Sequence, residues 1–221
     1  MTSEEQEPTS HPSGYTEGEL EVRSLAVERL TFFADAVVAI AITLLALDLP
    51  VPQGDTNSQI WHDILAHRDE YLAFAISFMV ISAHWRGHHA VFRYVTYLDG
   101  RLSGLTMGWL FFQVVTPFAT RVITGDGAFQ FRFYFYVLVQ IGAFVLFTLM
   151  VREIETRHLY RNDTPAHMFR HIYVRELGMA TGFLISLPVA LFTGWAYACW
   201  AAGPLAVNAY RRVRGRLPFD E

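Results

Sequence analysis

The sequence predicts an all-α membrane protein. Of its 221 residues, 52% are hydrophobic and only 17% are charged, whereas soluble domains carry about 25% charged residues. Apolar stretches of about 20 residues, the length that spans a bilayer as a helix, recur along the chain. The net charge of −4 and the lack of a basic stripe argue against nucleic-acid binding. The lone cysteine, Cys199, cannot form a disulfide within the chain.

The N-terminal segment differs in composition from the rest of the chain. Residues 1–22 contain six Glu residues and no Lys or Arg, with little apolar surface to bury. We therefore predict a disordered acidic cytoplasmic tail over residues 1–24. A six-helix transmembrane domain is predicted over residues 25–215, and residues 216–221 are predicted to form a short cytoplasmic C-terminal tail.

Five apolar stretches define the predicted spans. The first four cover residues 30–49, 71–91, 102–123 and 133–151. The last stretch, residues 177–209, is interrupted by Thr193 and Gly194, so we interpret it as two short spans joined by a tight turn. One tilted span with a re-entrant piece is the alternative. The working count is six spans.

The arginines orient these spans. All 17 basic residues are Arg, and basic residues concentrate on the cytoplasmic side of membrane proteins. With a cytoplasmic N-terminus, six spans place 14 of them inside and only 3 outside, namely Arg68, Arg121 and Arg132. This bias requires an even number of spans, with both termini in the cytoplasm.

Ionisable residues near the cytoplasmic ends of two spans form a candidate network. Arg29 and Asp35 lie at the start of span one, and residues 82–89, SAHWRGHH, lie at the end of span two, at the same predicted depth. A carboxylate near lipid needs a hydrogen-bonding or cationic partner, and four side chains can supply one: Arg29, His84, Trp85 and His88. We predict a network that holds span one in place, with separate side chains at the interface as the alternative.

Helical spacing sorts span one into faces. An apolar stripe with steps of three and four, here called the span-one stripe, consists of Phe33, Val37, Ile40, Thr43, Leu44 and Leu47. Asp35 lies well round the helix from this stripe, so the stripe and the candidate network point in different directions. Spacing alone leaves open whether the stripe packs against lipid and other helices or lines a pore.

Span one also carries a family signature. Residues 29–47 read RLTFFADAVVAIAITLLAL. This resembles the first-span signature of the transmembrane protein 175 family of potassium channels: Arg, three residues, Phe-Ser-Asp, then an Ala-Ile-Ala-Ile-Thr-Leu-Leu-like run. Ala34 stands where the family has Ser. Residues 85–89, WRGHH, resemble the family's Trp and His-His element, and residues 102–118 resemble its third span.

The resemblance implies an assembly and an activity. Prokaryotic members of the family have one six-span copy per chain and form homotetramers, which implies four chains around a central pore lined by the first helix. The expected activity is a modestly selective potassium channel in the cell membrane. Its expected partners are the lipid bilayer and permeant potassium ions, with no cofactor, no catalytic residue and no resident metal.

The resemblance also assigns roles to residues. Ile40, Leu44 and Leu47 correspond to hydrophobic constriction layers, and Thr43 corresponds to a polar layer that contributes to potassium preference. Five residues correspond to the network that holds span one against the following helices: Arg29, Phe33, Asp35, Trp85 and His88. Asp48, at the outer end of span one, is a candidate outer-mouth charge, and a solvated carboxylate is the alternative.

Two other function classes remain open at this point. The histidines of His84-x3-His88-His89 and His167-x3-His171 resemble the boxes of membrane di-iron enzymes. Those sites need about eight ligands in three boxes, and only six histidines lie on the predicted cytoplasmic face. The second class is a proton channel or proton-coupled transporter, in which Asp35, His84 and His88 relay protons.

Overall fold

All long elements of the protein are helices. The computed structural model describes residues 17–165, 167–192 and 199–200. Its helices are α1 (Glu17–Leu47), α2 (Asn57–Ala66), α3 (Arg68–Phe92), α4 (Gly100–Thr124), α5 (Phe129–Thr156) and α6 (Met168–Val189). Extended pairing within these residues is confined to an isolated bridge between Val95 and Tyr160. The all-α prediction is therefore confirmed.

Five helices fall on predicted spans. Spans two, three and four lie within α3, α4 and α5, span one lies in α1 except for its last two residues, and the fifth begins within α6. By length and composition, α1, α4, α5 and α6 could each cross a membrane. α3 is as long as α4 but ends in the polar segment that contains His84 and His88. The predicted sixth span and C-terminal tail lie outside the described residues, apart from positions 199–200.

The start of α1 differs from the sequence prediction. Because α1 begins at Glu17, the predicted disordered tail overlaps the helix at residues 17–24, while residues 1–16 lie outside the described part. Residues 19–47 contain no Gly or Pro and are rich in Leu and Ala, which favour the helical state. The helix ends shortly before Pro50 and Pro52, which lack the backbone N–H that a helix needs.

The short helix α2 is not among the predicted elements. It lies on the connection between α1 and α3 and begins with a capping box. The Gln59 N–H donates to Thr56 Oγ1 at 3.3 Å, and Gln59 Oε1 accepts the Thr56 N–H at 3.1 Å. Ten residues extend only about 15 Å as a helix, which is too short to cross a bilayer.

The centre of the bundle is the α4–α5 pair. α4 packs along α5 and also contacts α1 and α3, while α6 packs against α5. α1 therefore lies at the edge of the bundle and contacts α3 and α4. Its buried face has helical steps of three and four residues: Val27, Leu30, Ala34, Val38, Ala41 and Leu45.

Gly142 allows α4 and α5 to approach closely. A Cβ at this position would overlap the ring of Phe112, which is itself packed against the buried cores on both sides of α4. Gly142→Ala is therefore expected to lower the free energy of unfolding by about 1–3 kcal/mol, as overpacking does elsewhere. Thermal unfolding in detergent measures the effect.

The matched control is Gly104→Ala on α4, where an added Cβ meets no atom within 4 Å. Because Ala favours the helix over Gly, this variant should be at least as stable as the wild type. Equal stability of Gly142→Ala and the control would contradict the close packing inferred at Phe112.

Candidate functional site

α1 has a face that its own chain does not cover. Opposite the buried face, the aliphatic side chains of Ile40, Leu44 and Leu47 are 59%, 39% and 79% exposed. Two small residues, Ala36 and Ala39, lie on the same exposed surface. Small residues allow the close approach of another helix, so this surface differs from a uniformly bulky lipid-facing one.

Thr43 gives the exposed face of α1 a polar group. Its hydroxyl donates to the carbonyl of Ile40 at 2.8 Å, and its side chain is exposed. Because the proton of the hydroxyl is used within the helix, its oxygen keeps lone pairs that can accept. Several copies of this oxygen around an axis would form a ring of neutral ligands for a cation.

The candidate network is found in part. The Trp85 Nε1–H of α3 donates to Asp35 Oδ1 of α1 at 2.9 Å. This bond satisfies one acceptor of a half-buried carboxylate and links α1 to α3. A hydrogen bond to a charged group contributes about 1.5–3 kcal/mol, so it is a substantial attachment for a helix at the edge of the bundle.

The other predicted members of this network lie elsewhere. Arg29 and Phe33 are exposed on α1. His88 is buried and stacks between Phe92 and Trp109, at ring-centroid distances of 4.0 and 4.8 Å. Neither of its ring nitrogens has a hydrogen-bond partner within the described residues. The structure of one chain therefore joins Asp35 to Trp85 but does not join Asp35 to His88.

Asp48 directly follows the C-terminal end of α1 and is not an isolated charge. Its Oδ1 is 3.5 Å from Nη1 of Arg121 on α4, so the pair is close to neutral. The two residues line a cavity of about 180 Å³ together with Glu70 and Thr120. This ion pair connects the end of α1 to α4, and no feature of the sequence pointed to it.

Sequence reasoning also missed a line of buried polar residues inside the bundle, here called the polar ladder. It comprises Ser77 and His84 on α3, Gln113, Thr116 and Thr120 on α4, and Tyr136 and Gln140 on α5. The sequence did contain a signal for these residues, because burying a Gln side chain in an apolar span costs free energy unless its amide has hydrogen-bond partners. The predicted network includes His84 but none of the ladder's amides or hydroxyls.

Metal binding and the histidine boxes have no geometric support among the described residues. His84 packs edge-on against Phe144 at 4.6 Å, and His167 lies 5.0 Å from His171 on the exposed start of α6. The described part of the chain contains no group of three or more His, Cys, Asp or Glu side chains placed to hold a metal ion. The two predicted boxes therefore do not form one site within these residues.

Long apolar helices with polar groups turned inward define a multi-pass α-helical membrane protein. Residues 29–117 match the family model described as the endosomal/lysosomal potassium channel TMEM175. A Streptomyces collinus protein named as a potassium channel is 35% identical over 145 residues, which are 62% of this chain and 70% of that protein. The chain belongs to the TMEM175 family.

Two further similarities extend this finding. A Gallus gallus protein named endosomal/lysosomal proton channel TMEM175 is 31% identical over 66% of this chain, and the match spans 32% of that protein. The crystal structure of a lysosomal potassium-selective channel TMEM175 homologue from Chamaesiphon minutus superposes with a TM-score of 0.67 at 21% sequence identity. It covers 87% of this chain and 99% of the other. The fold is therefore that of the family.

Proposed function

We propose that this protein is a potassium channel whose pore is lined by the span-one stripe of four copies. The observation that carries the proposal is the exposed face of α1, which presents Ile40, Thr43, Leu44 and Leu47 away from its own bundle. The relatives named as potassium channels support the choice of ion.

If several chains assemble around a common axis, the helix that lines the pore must lie at the edge of each chain's own helix bundle. A potassium pore inside one bundle would need a continuous open passage among α3, α4 and α5, whose buried cores consist mainly of bulky aliphatic and aromatic side chains. In a homotetramer with cyclic symmetry, each α1 contributes one identical wall, so every stripe residue forms a ring. Ile40, Leu44 and Leu47 then form layers about 6 and about 4.5 Å apart along the axis.

Such rings favour potassium modestly. A narrow aliphatic neck closes by dewetting and, when narrowly open, makes an ion shed part of its water. Potassium loses water more readily than sodium, and four Thr43 oxygens would replace part of the lost shell. The sequence has no Thr-Val-Gly-Tyr-Gly carbonyl filter, so the selectivity is expected to be weaker than in channels that have one.

The proposed arrangement in the membrane follows the arginines. Six spans with both termini in the cytoplasm place most Arg residues inside. The same orientation directs the C-terminal end of α1, the negative end of its dipole, toward the outer mouth. Cations would meet that end first, although Asp48 adds little net charge because it pairs with Arg121. The cell membrane is the expected location.

The experiment that tests the proposal is a bi-ionic reversal potential, potassium against sodium, on purified protein in planar bilayers. We expect a shift toward the potassium equilibrium potential. Thr43→Ala removes the hydroxyl without changing the aliphatic layers, so the shift should shrink while current persists. Currents with no preference between the ions would contradict the proposed activity, and an unchanged shift in Thr43→Ala would remove Thr43 from selectivity.

The two alternatives have less support. A proton relay through Asp35, His84 and His88 is the second candidate, and the name of the chicken relative favours proton movement. However, Asp35 bonds to Trp85, while His84 bonds to Gln113, so no hydrogen bond joins these relay members within the described residues. The di-iron enzyme is set aside because the chain belongs to a family of ion channels.

A further inference from the structure

We propose that each chain binds the headgroup of an anionic phospholipid in a cavity between α1 and α3, at the end of the bundle where α3 ends. The cavity has a volume of about 340 Å³. Residues between Ser24 and Phe32 of α1 line one side of it, and the end of α3 together with Val95 lines the other. No residue of the span-one stripe lines this cavity, so the site is separate from the proposed pore and goes beyond the proposed potassium channel.

Part of the cavity wall is apolar. Val27 of α1, Phe92 of α3 and Val95 line the cavity and are themselves buried. Phe32 of α1 also lines it, and its aromatic side chain is exposed. Because wetting such a wall with water is unfavourable, the wall suits the glycerol backbone and the upper acyl chain of a lipid.

A line of basic side chains, here called the basic row, runs along α3 beside the cavity. It consists of Arg86, His89 and Arg93, which are spaced by three and four residues and are all exposed. Side chains with this spacing lie on one face of a helix, and the row extends about 10 Å along its axis. His89 and Arg93 line the cavity itself. Positive charge beside an apolar wall matches the phosphate and glycerol groups of a phospholipid.

Arg86 places one charge of the basic row within the predicted second span. Its side chain is exposed, and it has no hydrogen bond or ion pair with another residue in the described part of the chain. A guanidinium at this depth costs free energy unless it reaches water or an anion. A lipid phosphate is such an anion, and Arg can bind it through two parallel N–H donors.

Arg93 is held in position at the edge of the cavity. Its Nη2 donates to the Tyr94 hydroxyl, and its guanidinium carbon lies 4.7 Å from the centre of the Tyr94 ring. A guanidinium has five N–H donors, so most of them stay available for phosphate oxygens. Because the tyrosine already orders this side chain, less conformational entropy is lost when a ligand binds.

One carboxylate lines the same cavity from α1. Glu28 is exposed there, and its single negative charge stands against the two permanent positive charges of Arg86 and Arg93. The site therefore favours a headgroup with a net negative charge. A phosphatidylglycerol headgroup fits both sides, because its phosphate can accept from the basic row and its hydroxyls can donate to Glu28.

The position of the cavity suits this ligand. In the proposed orientation, the cavity lies at the cytoplasmic surface of the membrane, where anionic lipids attract basic side chains. The orientation decides only which leaflet supplies the lipid. Trp85, which donates to Asp35 of α1, lies with its ring 5.7 Å from that of His89. A lipid bound here would therefore strengthen the attachment of α1 to α3 close to this bond.

The test measures lipid binding directly. Purified full-length protein is stripped of lipid in detergent and titrated with dioleoylphosphatidylglycerol, and bound lipids are counted by native mass spectrometry. Dioleoylphosphatidylcholine, which has the same acyl chains, is titrated in parallel. We expect one phosphatidylglycerol per chain to bind with a Kd about tenfold lower than that of phosphatidylcholine, because only the former has a net negative charge and hydroxyl donors for Glu28.

Substitutions in the basic row locate the site. Arg86→Gln and Arg93→Gln each remove one positive charge and are each expected to raise the Kd for phosphatidylglycerol by about tenfold. Arg93→Lys keeps the charge but loses the paired donors, so it should raise the Kd less. Phosphatidylglycerol should also raise the unfolding temperature of the wild type more than that of either Gln variant, because a bound ligand stabilises the folded state.

The matched control is Arg170→Gln on α6. Arg170 is an exposed arginine on a helix that packs against α5, and it does not line the cavity. This variant should leave the Kd for phosphatidylglycerol unchanged. It separates a defined site from the general attraction between basic side chains and anionic lipid.

Four results would overturn the inference. They are equal affinity of the wild type for the two lipids, unchanged affinity in both Gln variants of the basic row, an equal loss of affinity in the Arg170 control, and assembly that fails in both row variants while the wild type binds no lipid. The last result would identify the cavity as a contact between copies of the chain. Because no current is measured, failure of this inference is distinguishable from failure of the proposed potassium channel.

Discussion

Replacing Ile40 with Asn is expected to raise the resting potassium conductance by about tenfold or more, because an amide in the proposed apolar constriction would lower the barrier to wetting. Tenfold corresponds to only about 1.4 kcal/mol in the barrier, which one polar group in each chain of the proposed tetramer would readily supply. Single-channel recording in planar bilayers measures the effect as a higher open probability. Leu44→Asn, one turn further along α1, should act in the same direction.

The matched control is Leu138→Asn on α5. Leu138 is 67% exposed and lies on a helix that packs mainly against α4 and α6, so the same substitution tests for general effects of an exposed amide. It should leave conductance unchanged. If Ile40→Asn and Leu44→Asn both conduct like the wild type, the gate does not lie on the span-one stripe.

Removing the carboxylate of Asp35 is expected to weaken assembly more than ion preference. Asp35→Ala leaves the Trp85 indole without its acceptor and releases the link between α1 and α3. The loss of a charged hydrogen bond, about 1.5–3 kcal/mol per chain, is repeated in each copy of an oligomer. Size-exclusion chromatography with light scattering should show a shift to smaller species, together with a lower unfolding temperature.

A double-mutant cycle separates this bond from general damage. If the bond is the cause, Asp35→Ala combined with Trp85→Phe should cost little more than either change alone. Asp35→Asn, which keeps an acceptor oxygen, should be milder. The control is Asp69→Ala, which removes a carboxylate that is 79% exposed and should change neither the size of the assembly nor the unfolding temperature. A stable Asp35→Ala oligomer with altered ion selectivity would contradict the assigned role.

The sequence predicted the helices well because their signals are local. Span length and hydropathy depend on neighbouring residues, so α1, α3, α4 and α5 appear where they were expected. The buried and exposed faces of α1 also follow from its spacing of three and four residues. What spacing could not decide was the surroundings of the exposed face, because lipid, another helix and a pore all accept large aliphatic side chains.

The polar interior was harder to predict because its contacts join different helices. Which residue meets Asp35 depends on how α3 is rotated, and that rotation turns Trp85 toward α1 and His88 toward Trp109 of α4. From the sequence, both side chains were equally suitable partners. The pairing of Asp48 with Arg121 similarly joins residues more than 70 positions apart, for which one sequence offers no signal.

Because α1 lies at the edge of its helix bundle, the unit that folds is one chain, whereas the unit that would conduct ions is the proposed assembly of four chains. Each chain packs α1 on α3 and α4, yet the proposed pore exists only where four such edges meet. In the proposed tetramer, a substitution at the exposed Ile40 would leave every chain able to fold and to join its partners. In a cell that makes equal amounts of normal and altered chains, about one assembly in sixteen would be free of the altered subunit under random mixing in a cyclic tetramer. Substitutions on the exposed face of α1 would then behave genetically as dominant. Substitutions in the α4–α5 core would instead prevent the altered chain from folding and joining an assembly, and would behave as recessive.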